Sequence, residues 1–250
     1  MERLDLVLAR EYVSDNATNN FQEITKILRE LRFEELIVGN PYLLSIRNFK
    51  IVWELVTFLL NDLLSSSEIE FFDSFLIDLA VFIAGHTCDG HKSAAPGVDL
   101  EFFNKEVHYV VSVKSGPNWG NSSQVNKLAQ DLQNAATRVK QSKHGANVQP
   151  VLGICYGKTK TSYLRGYLKV VGQNFWYLIS ENKDLYTEII EPIGYRAQEH
   201  NEVFLEEKSR VINRFTKLFC EKFCDENGAI SWVKLLEFNS GNYDLDQVLS

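Results

Sequence analysis

The apolar residues of this chain change their period at Gly85, and that change limits the class of fold open to it. Upstream, Phe21, Ile24, Ile27, Leu28 and Leu31 recur at the 3.6-residue spacing of one helix face. Asn40-Pro41 breaks the chain, and a second helix is expected from about Asn48 to Leu64. Ser67-Glu68-Ile69-Glu70 then reads as a capping box before a third apolar helix that ends near Gly85. Residues 85–97, rich in Gly, His, Ser and Ala, read as a loop or short edge structure. Beyond them, Val98–Phe103 and Val107–Lys114 are strand-like, and Asn104-Lys105-Glu106 between them suits a tight hairpin. A helix from about Ser122 to Gln141 has Val125, Leu128, Leu132, Ala135 and Val139 on its buried stripe. A buried-type strand, Val148–Tyr156, closes the block. The remainder is mostly helical, including Glu199–Phe223 and Ser231–Phe238.

The order helix, strand hairpin, helix, strand predicts an α/β core with a mixed β-sheet, flanked by N- and C-terminal helices. The expected layout is an N-terminal helical region 1–84, a central core 85–160 with helix 67–84 packed on it, and a C-terminal helical region 161–250. All three are expected to form one continuous domain, which 250 residues can fill without staples.

Charge points to a partner. The chain carries 26 Lys and Arg against 33 Asp and Glu, a net charge of −7, which taken whole argues against nucleic acid. The distribution reverses that impression: Lys92 to Lys169 holds 11 basic and 4 acidic side chains. A basic middle inside an acidic protein is what a phosphate-binding cleft on a solubilising surface produces. Four cysteines, Cys88, Cys155, Cys220 and Cys224, form no Cys-x-x-Cys pair and are read as reduced packing residues. The five histidines show no ligand spacing, and His86 and His91 are read as polar loop residues. Met1 to Asp5 lacks the apolar core of a secretory leader. The run Phe49–Leu64, interrupted by Lys50, Glu54 and Asp62, is too short and too charged to span a bilayer. A cytoplasmic protein with no membrane partner is expected.

The chemistry-bearing segment is Pro96-Gly97-Val98-Asp99-Leu100-Glu101, followed by Val111-Ser112-Val113-Lys114-Ser115-Gly116-Pro117. Strand alternation puts Asp99 and Glu101 on one face, and Ser112 and Lys114 on one face of the next strand. Paired as a hairpin, the two strands bring an acid and a lysine together at the sheet end. Phosphodiester cleavage needs a divalent cation on hard carboxylate oxygens and a group beside the attacking water. Magnesium keeps several of its own waters, so one or two protein carboxylates suffice.

This arrangement resembles the PD-(D/E)-x-K nuclease superfamily. The stretch Gly97 to Phe102, with Ser112-Val113-Lys114-Ser115-Gly116-Pro117-Asn118-Trp119-Gly120-Asn121, resembles one group of type II restriction endonucleases in particular. The resemblance is strongest over about residues 85–160 and continues more loosely through the C-terminal helices. It implies a restriction-endonuclease-like fold and hydrolysis of double-stranded DNA at a short site. It also implies magnesium, with manganese able to substitute, a homodimer, and a cognate DNA methyltransferase in the host. Asp99 is the implied metal ligand and Lys114 the implied catalytic lysine. The chain departs from the superfamily at Ser112, where an acid usually stands two residues before the lysine, so it is read as a Ser-x-Lys variant. The second carboxylate then comes from Glu101, ranked first, or from Asp131, Glu70 or Asp73. Ser112 is carried as a further catalytic candidate.

Candidate DNA contacts are Asn118, Asn121, Ser122 and Gln124 in the loop before the central helix, where Ser122 or Ser123 is the expected cap. Lys158 and Lys160 are the candidate phosphate contacts. Two other readings stay open: a repair or branched-DNA nuclease on the same core, and an inactive DNA-binding module, which Ser112 favours.

Overall fold

The computed structural model describes residues 4–164, 166–194 and 201–241. In chain order the elements are α1 Leu6–Glu30, α2 Phe33–Leu36, α3 Pro41–Ile46, α4 Val52–Cys88, β1 His91–Lys92, β2 Leu100–Asn104, β3 Val107–Lys114 and α5 Ser122–Ser142. There follow β4 Asn147–Ile154, β5 Ser162–Leu164, β6 Tyr167–Val171, α6 Gln173–Ser180, α7 Leu185–Glu188, α8 Ile190–Gly194, α9 Asn201–Phe223 and α10 Trp232–Phe238. The chain divides into two compact units, Met1–Ala17 with Glu70–Arg196, and Thr18–Ile69 with Ala197–Ser250.

The first unit holds a six-stranded mixed sheet in the order β1-β2-β3-β4-β6-β5. β2 and β3 form the expected antiparallel hairpin, Leu100 facing Val111 and Asn104 facing Val107. Lys105 and Glu106 both take positive φ, 50° and 64°, as a two-residue turn between right-twisted strands requires. β3, β4 and β6 run parallel, so their C-terminal ends, Lys114, Ile154 and Val171, share one edge. Pro150 is tolerated in β4 because pairing with β6 begins only at Val151, leaving that side without a ladder to interrupt.

Each face of the sheet buries a different layer. Leu100, Phe102, Val111, Val113 and Val151 pack with Leu79, Ala80 and Ile83 of α4 and with Phe175 and Ile179 of α6. Val110, Leu152 and Ile154 pack with Leu128, Leu132, Ala135 and Ala136 of α5. Successive residues on β3 alternate between these layers, which is why all four residues from Val110 to Val113 are buried. In the second unit, Phe33 of α2 meets Phe215 and Phe223 of α9 at 5.5 and 6.2 Å between ring centroids. Ile24, Leu28 and Leu31 are buried as their spacing predicts, whereas Phe21 lies outside the residues whose side chains are described.

Three expectations are corrected. The second and third helices are one: α4 runs unbroken from Val52 to Cys88. Ser66 and Ser67 do not cap a new helix. Their hydroxyls donate back to the carbonyls of Asp62 and Leu63 at 3.0 and 3.2 Å, which a serine inside a helix does readily. His86 therefore lies in α4 rather than in a loop, while His91 lies in β1, the short edge strand that the 85–97 segment allowed. The sheet also extends past residue 160, gaining β5 and β6 where a mostly helical region was expected. α4 is long and apolar enough to cross a membrane by length and composition. Leu55, Val56, Leu60, Leu79, Ala80 and Ile83 along it are nonetheless buried inside the protein, as in a core helix.

Candidate functional site

Asp99 and Lys114 meet the same edge of the sheet for a simple topological reason. β3 runs on to Lys114, but its pairing with β2 ends at Leu100 and Val111. The backbone N–H of Val113 is thereby left without a strand partner, and a buried N–H needs one. The Asp99 carboxylate supplies it: Val113 N–H donates to Oδ2 at 2.7 Å, and the Ser112 hydroxyl donates weakly to the same oxygen at 3.4 Å. Asp99 N–H in turn donates to the Val111 carbonyl at 2.9 Å, so both the backbone and the side chain of Asp99 are fixed against β3. Asp99 Oδ1 accepts no hydrogen bond from the described residues. A half-buried carboxylate with one oxygen held and the other open fits a hard divalent cation.

Lys114 is half-buried at the end of β3, on the face shared with Ser112 and covered by α5. Its Nζ lies 5.6 Å from the centre of the Trp119 ring, within cation–π range. Among the described residues no carboxylate comes within ion-pair distance of this ammonium. Ser112 is only 2% exposed, beneath Asp99, so it holds the acid rather than facing solvent.

Two loops leave this edge together. Cys155 and Tyr156 N–H groups donate to the carbonyls of Lys114 and Ser115 at 2.9 and 3.1 Å. A Cβ at Gly116 would lie 2.9 Å from the Tyr156 ring, and one at Gly157 would lie 2.8 Å from Pro117, so glycine at both positions lets the loops pack. The second loop exposes both Lys158 and Lys160, the latter beside a groove of about 530 Å3 that Thr159, Thr161, Asn174 and Tyr186 also line. The first loop exposes Asn118 and leads into α5. The cap of that helix is Asn121, not Ser122 or Ser123: its Oδ1 accepts from the Ser123 and Gln124 N–H groups at 3.1 Å each. Gln124 Oε1 returns the bond by accepting Asn121 N–H at 2.8 Å. The amide oxygens of Asn121 and Gln124 are thus occupied locally, and their NH2 groups are what remain for a ligand. Ser122 is exposed at the first turn of α5.

The acids named as second ligands fall in different places. Glu101 shares the Asp99 face but sits further down the hairpin, opposite Val110 and away from Lys114. Its Oε1 accepts from the Ser93 hydroxyl at 2.5 Å and its Oε2 from His108 Nε2 at 2.9 Å. Burial pushes the Glu101 carboxyl up, but these two hydrogen bonds and the rings of His108 and His91 outweigh it and hold the group below its ordinary value. Asp131 of α5 lies against the loop entering Asp99: a Cβ at Gly97 would come 2.6 Å from its Oδ2. Asp73 of α4 is close enough to Cys155 for its charge to add to the burial that pushes that thiol up. Glu70 is exposed. Among the described residues no three His, Cys, Asp or Glu side chains gather as a ready-made metal site. The Ser93–Glu101–His108 cluster was missed in the sequence, although alternation already places His108 and Ser112 on one face of β3.

The sequence model of the family described as type II restriction endonuclease EcoO109I matches residues 8–201, which includes every residue of this edge. No curated protein matches the chain at a significant level.

Proposed function

Because the chain belongs to the EcoO109I family of type II restriction endonucleases, we propose that it cuts both strands of duplex DNA at a short recognition sequence, at the edge where Asp99 and Lys114 meet. The observation that carries this reading is the Asp99 carboxylate clamped by Val113 N–H, next to a lysine; among the described residues Oδ1 accepts no hydrogen bond and the lysine has no acidic partner.

Asp99 would hold a magnesium or manganese ion, which supplies Lewis-acid polarisation of the phosphate and eases ionisation of the attacking water. The rest falls to the chain. The Lys114 ammonium, directed by its strand and the Trp119 ring, orients the water and offsets charge developing on the phosphate. Hydrogen bonds to Oδ2 keep Asp99 from turning when the phosphate arrives. Asn118, the NH2 groups of Asn121 and Gln124, and Ser122 face the bases or the backbone from the first loop. Lys158 and Lys160 contact phosphates from the second.

Ser112 leaves the second carboxylate to come from another element, in a Ser-x-Lys variant of the superfamily site. Asp131, beside Gly97, is best placed among the acids of the α5 face. A symmetric recognition site calls for a homodimer, and self-protection calls for a methyltransferase of the same sequence specificity in the host cytoplasm.

Digestion of a mixed-sequence plasmid with magnesium tests the reading. Discrete bands support it, while a smear or nicking indicates a nuclease of the same core without site specificity. The buried serine at position 112 favours a second reading, an inactive DNA-binding module, for which the plasmid survives intact.

A further inference from the structure

Residues 93–99 form a strap that delivers Asp99 to the sheet, and its base is stapled at several points. Ser93 N–H donates to the Asp99 carbonyl at 3.1 Å, closing the strap across its ends. Within it, Ala95 N–H donates to Ser93 Oγ at 3.0 Å and Val98 N–H to the Ala95 carbonyl at 3.1 Å. Ser93 Oγ then donates to Glu101 Oε1 at 2.5 Å, pinning the staple to β2. Glu101 is itself held from β3. A carboxylate only accepts, so the 2.9 Å contact requires a proton on His108 Nε2, and the histidine is only 8% exposed. Both Glu101 oxygens are therefore committed, one to the strap through Ser93 and the other to β3 through His108.

We infer that Glu101 is a positioning residue: acting through Ser93, it fixes the strap that carries Asp99, and it touches neither cation nor phosphate. This rests on Asp99 being the carboxylate of the cleavage site. It contrasts with the sequence-based ranking of Glu101 as second ligand, for which an oxygen would have to leave Ser93 or His108.

The two roles separate in a double-variant cycle read by magnesium titration. Cleavage rate at saturating DNA is measured for Ser93→Ala, Glu101→Ala, the double variant and Ser93→Thr, each with its melting midpoint and its calcium-supported DNA affinity. The clamp predicts that both single variants lose about tenfold to a hundredfold in kcat, as small displacements of a reacting group do. They should shift the magnesium requirement alike, and the double variant should be no worse than the poorer single. Ser93→Thr, which keeps the hydroxyl, should restore most of the rate, while melting and DNA affinity stay near wild type. A magnesium requirement raised by Glu101→Ala but not by Ser93→Ala makes Glu101 a ligand and overturns the clamp. Should Glu101→Ala fail to fold, the serine variants decide alone, and full turnover by Ser93→Ala overturns the proposal. A wild-type protein that cuts no DNA overturns the nuclease reading and the clamp with it, whereas a cutting wild type beside an unimpaired Ser93→Ala overturns the clamp only.

Discussion

Val113 N–H and Asp99 Oδ2 are 2.7 Å apart, so the acid of the candidate site is bonded to the residue immediately before its lysine. The hairpin thereby builds the acid–lysine pair from backbone geometry, without a salt bridge between the two side chains. It also leaves one carboxylate oxygen directed by the fold and free of hydrogen bonds from the described residues.

Cation dependence should follow from that oxygen. Cleavage is expected with magnesium or manganese and should stop with a chelator, while calcium should support DNA binding without turnover. The reason is a hard oxygen donor with no soft ligand beside it. Gel-shift and cleavage assays in parallel check it, and undiminished cutting in excess chelator contradicts it.

The second carboxylate should be found on α5. Asp131→Asn is expected to lower cleavage by about 10²-fold or more, and Glu70→Ala to do little, with Asp73→Asn as the competing result. Ser112→Ala loses only a 3.4 Å hydrogen bond, so its cost should be about 0.5–1.5 kcal/mol in stability and its effect on rate slight. Gly97→Ala should be worse than its size suggests. Its φ is +73°, and the new Cβ would collide with the Asp131 carboxylate, so about 1–3 kcal/mol of stability and most of the cleavage should go together. Melting curves alongside rates check both, and an Asp131→Asn protein with full activity removes Asp131 from the site.

How much of this was legible in the sequence varies with the range of the interaction. The hairpin was legible because strand alternation and a three-residue gap at Asn104-Lys105-Glu106 are local signals. α5 and its buried Leu128, Leu132 and Ala135 were legible for the same reason. The single helix α4 was not, because Ser65-Ser66-Ser67 has the composition of a cap. Whether a serine hydroxyl caps the next turn or bonds back to the previous one depends on whether the helix is held by packing on both sides. β5 and β6 escaped because three and five residues around Gly166 carry too little pattern. The closeness of Asp131 to Gly97 is a matter of helix-on-sheet packing across more than thirty residues of chain, which no spacing rule encodes.

Helix capping and DNA reading should separate at the start of α5. Asn121→Ala removes the cap and is expected to cost about 0.5–2 kcal/mol, with weaker DNA binding as a consequence of the frayed turn. Asn118→Ala, whose side chain is exposed and has no capping role, should leave melting unchanged and lower discrimination between cognate and non-cognate duplexes. A loss of stability in Asn118→Ala without loss of discrimination contradicts this assignment.

Salt dependence should locate the DNA. Binding is expected to weaken steeply with salt, and replacing Lys158 and Lys160 together should reduce the slope of log K against log salt by about 2, roughly 0.9 for each phosphate no longer neutralised. Specific and non-specific binding should fall alike. Lys222 is already paired with Glu34 at 2.9 Å, and replacing it together with Lys217 should change the slope little. A larger effect from Lys217 and Lys222 than from Lys158 and Lys160 would place the DNA on another surface.

The most direct test is cleavage of a plasmid bearing one cut site by Asp99→Ala and Lys114→Ala proteins, each first shown by melting and calcium-supported DNA binding to be folded. Lys114→Ala should lose about 10²–10⁴-fold in rate, the range of a positioned proton-transfer group, and Asp99→Ala should lose at least as much, while both still bind DNA. Cleavage at the wild-type rate by a folded Asp99→Ala or Lys114→Ala protein would show that the chemistry happens elsewhere in the chain.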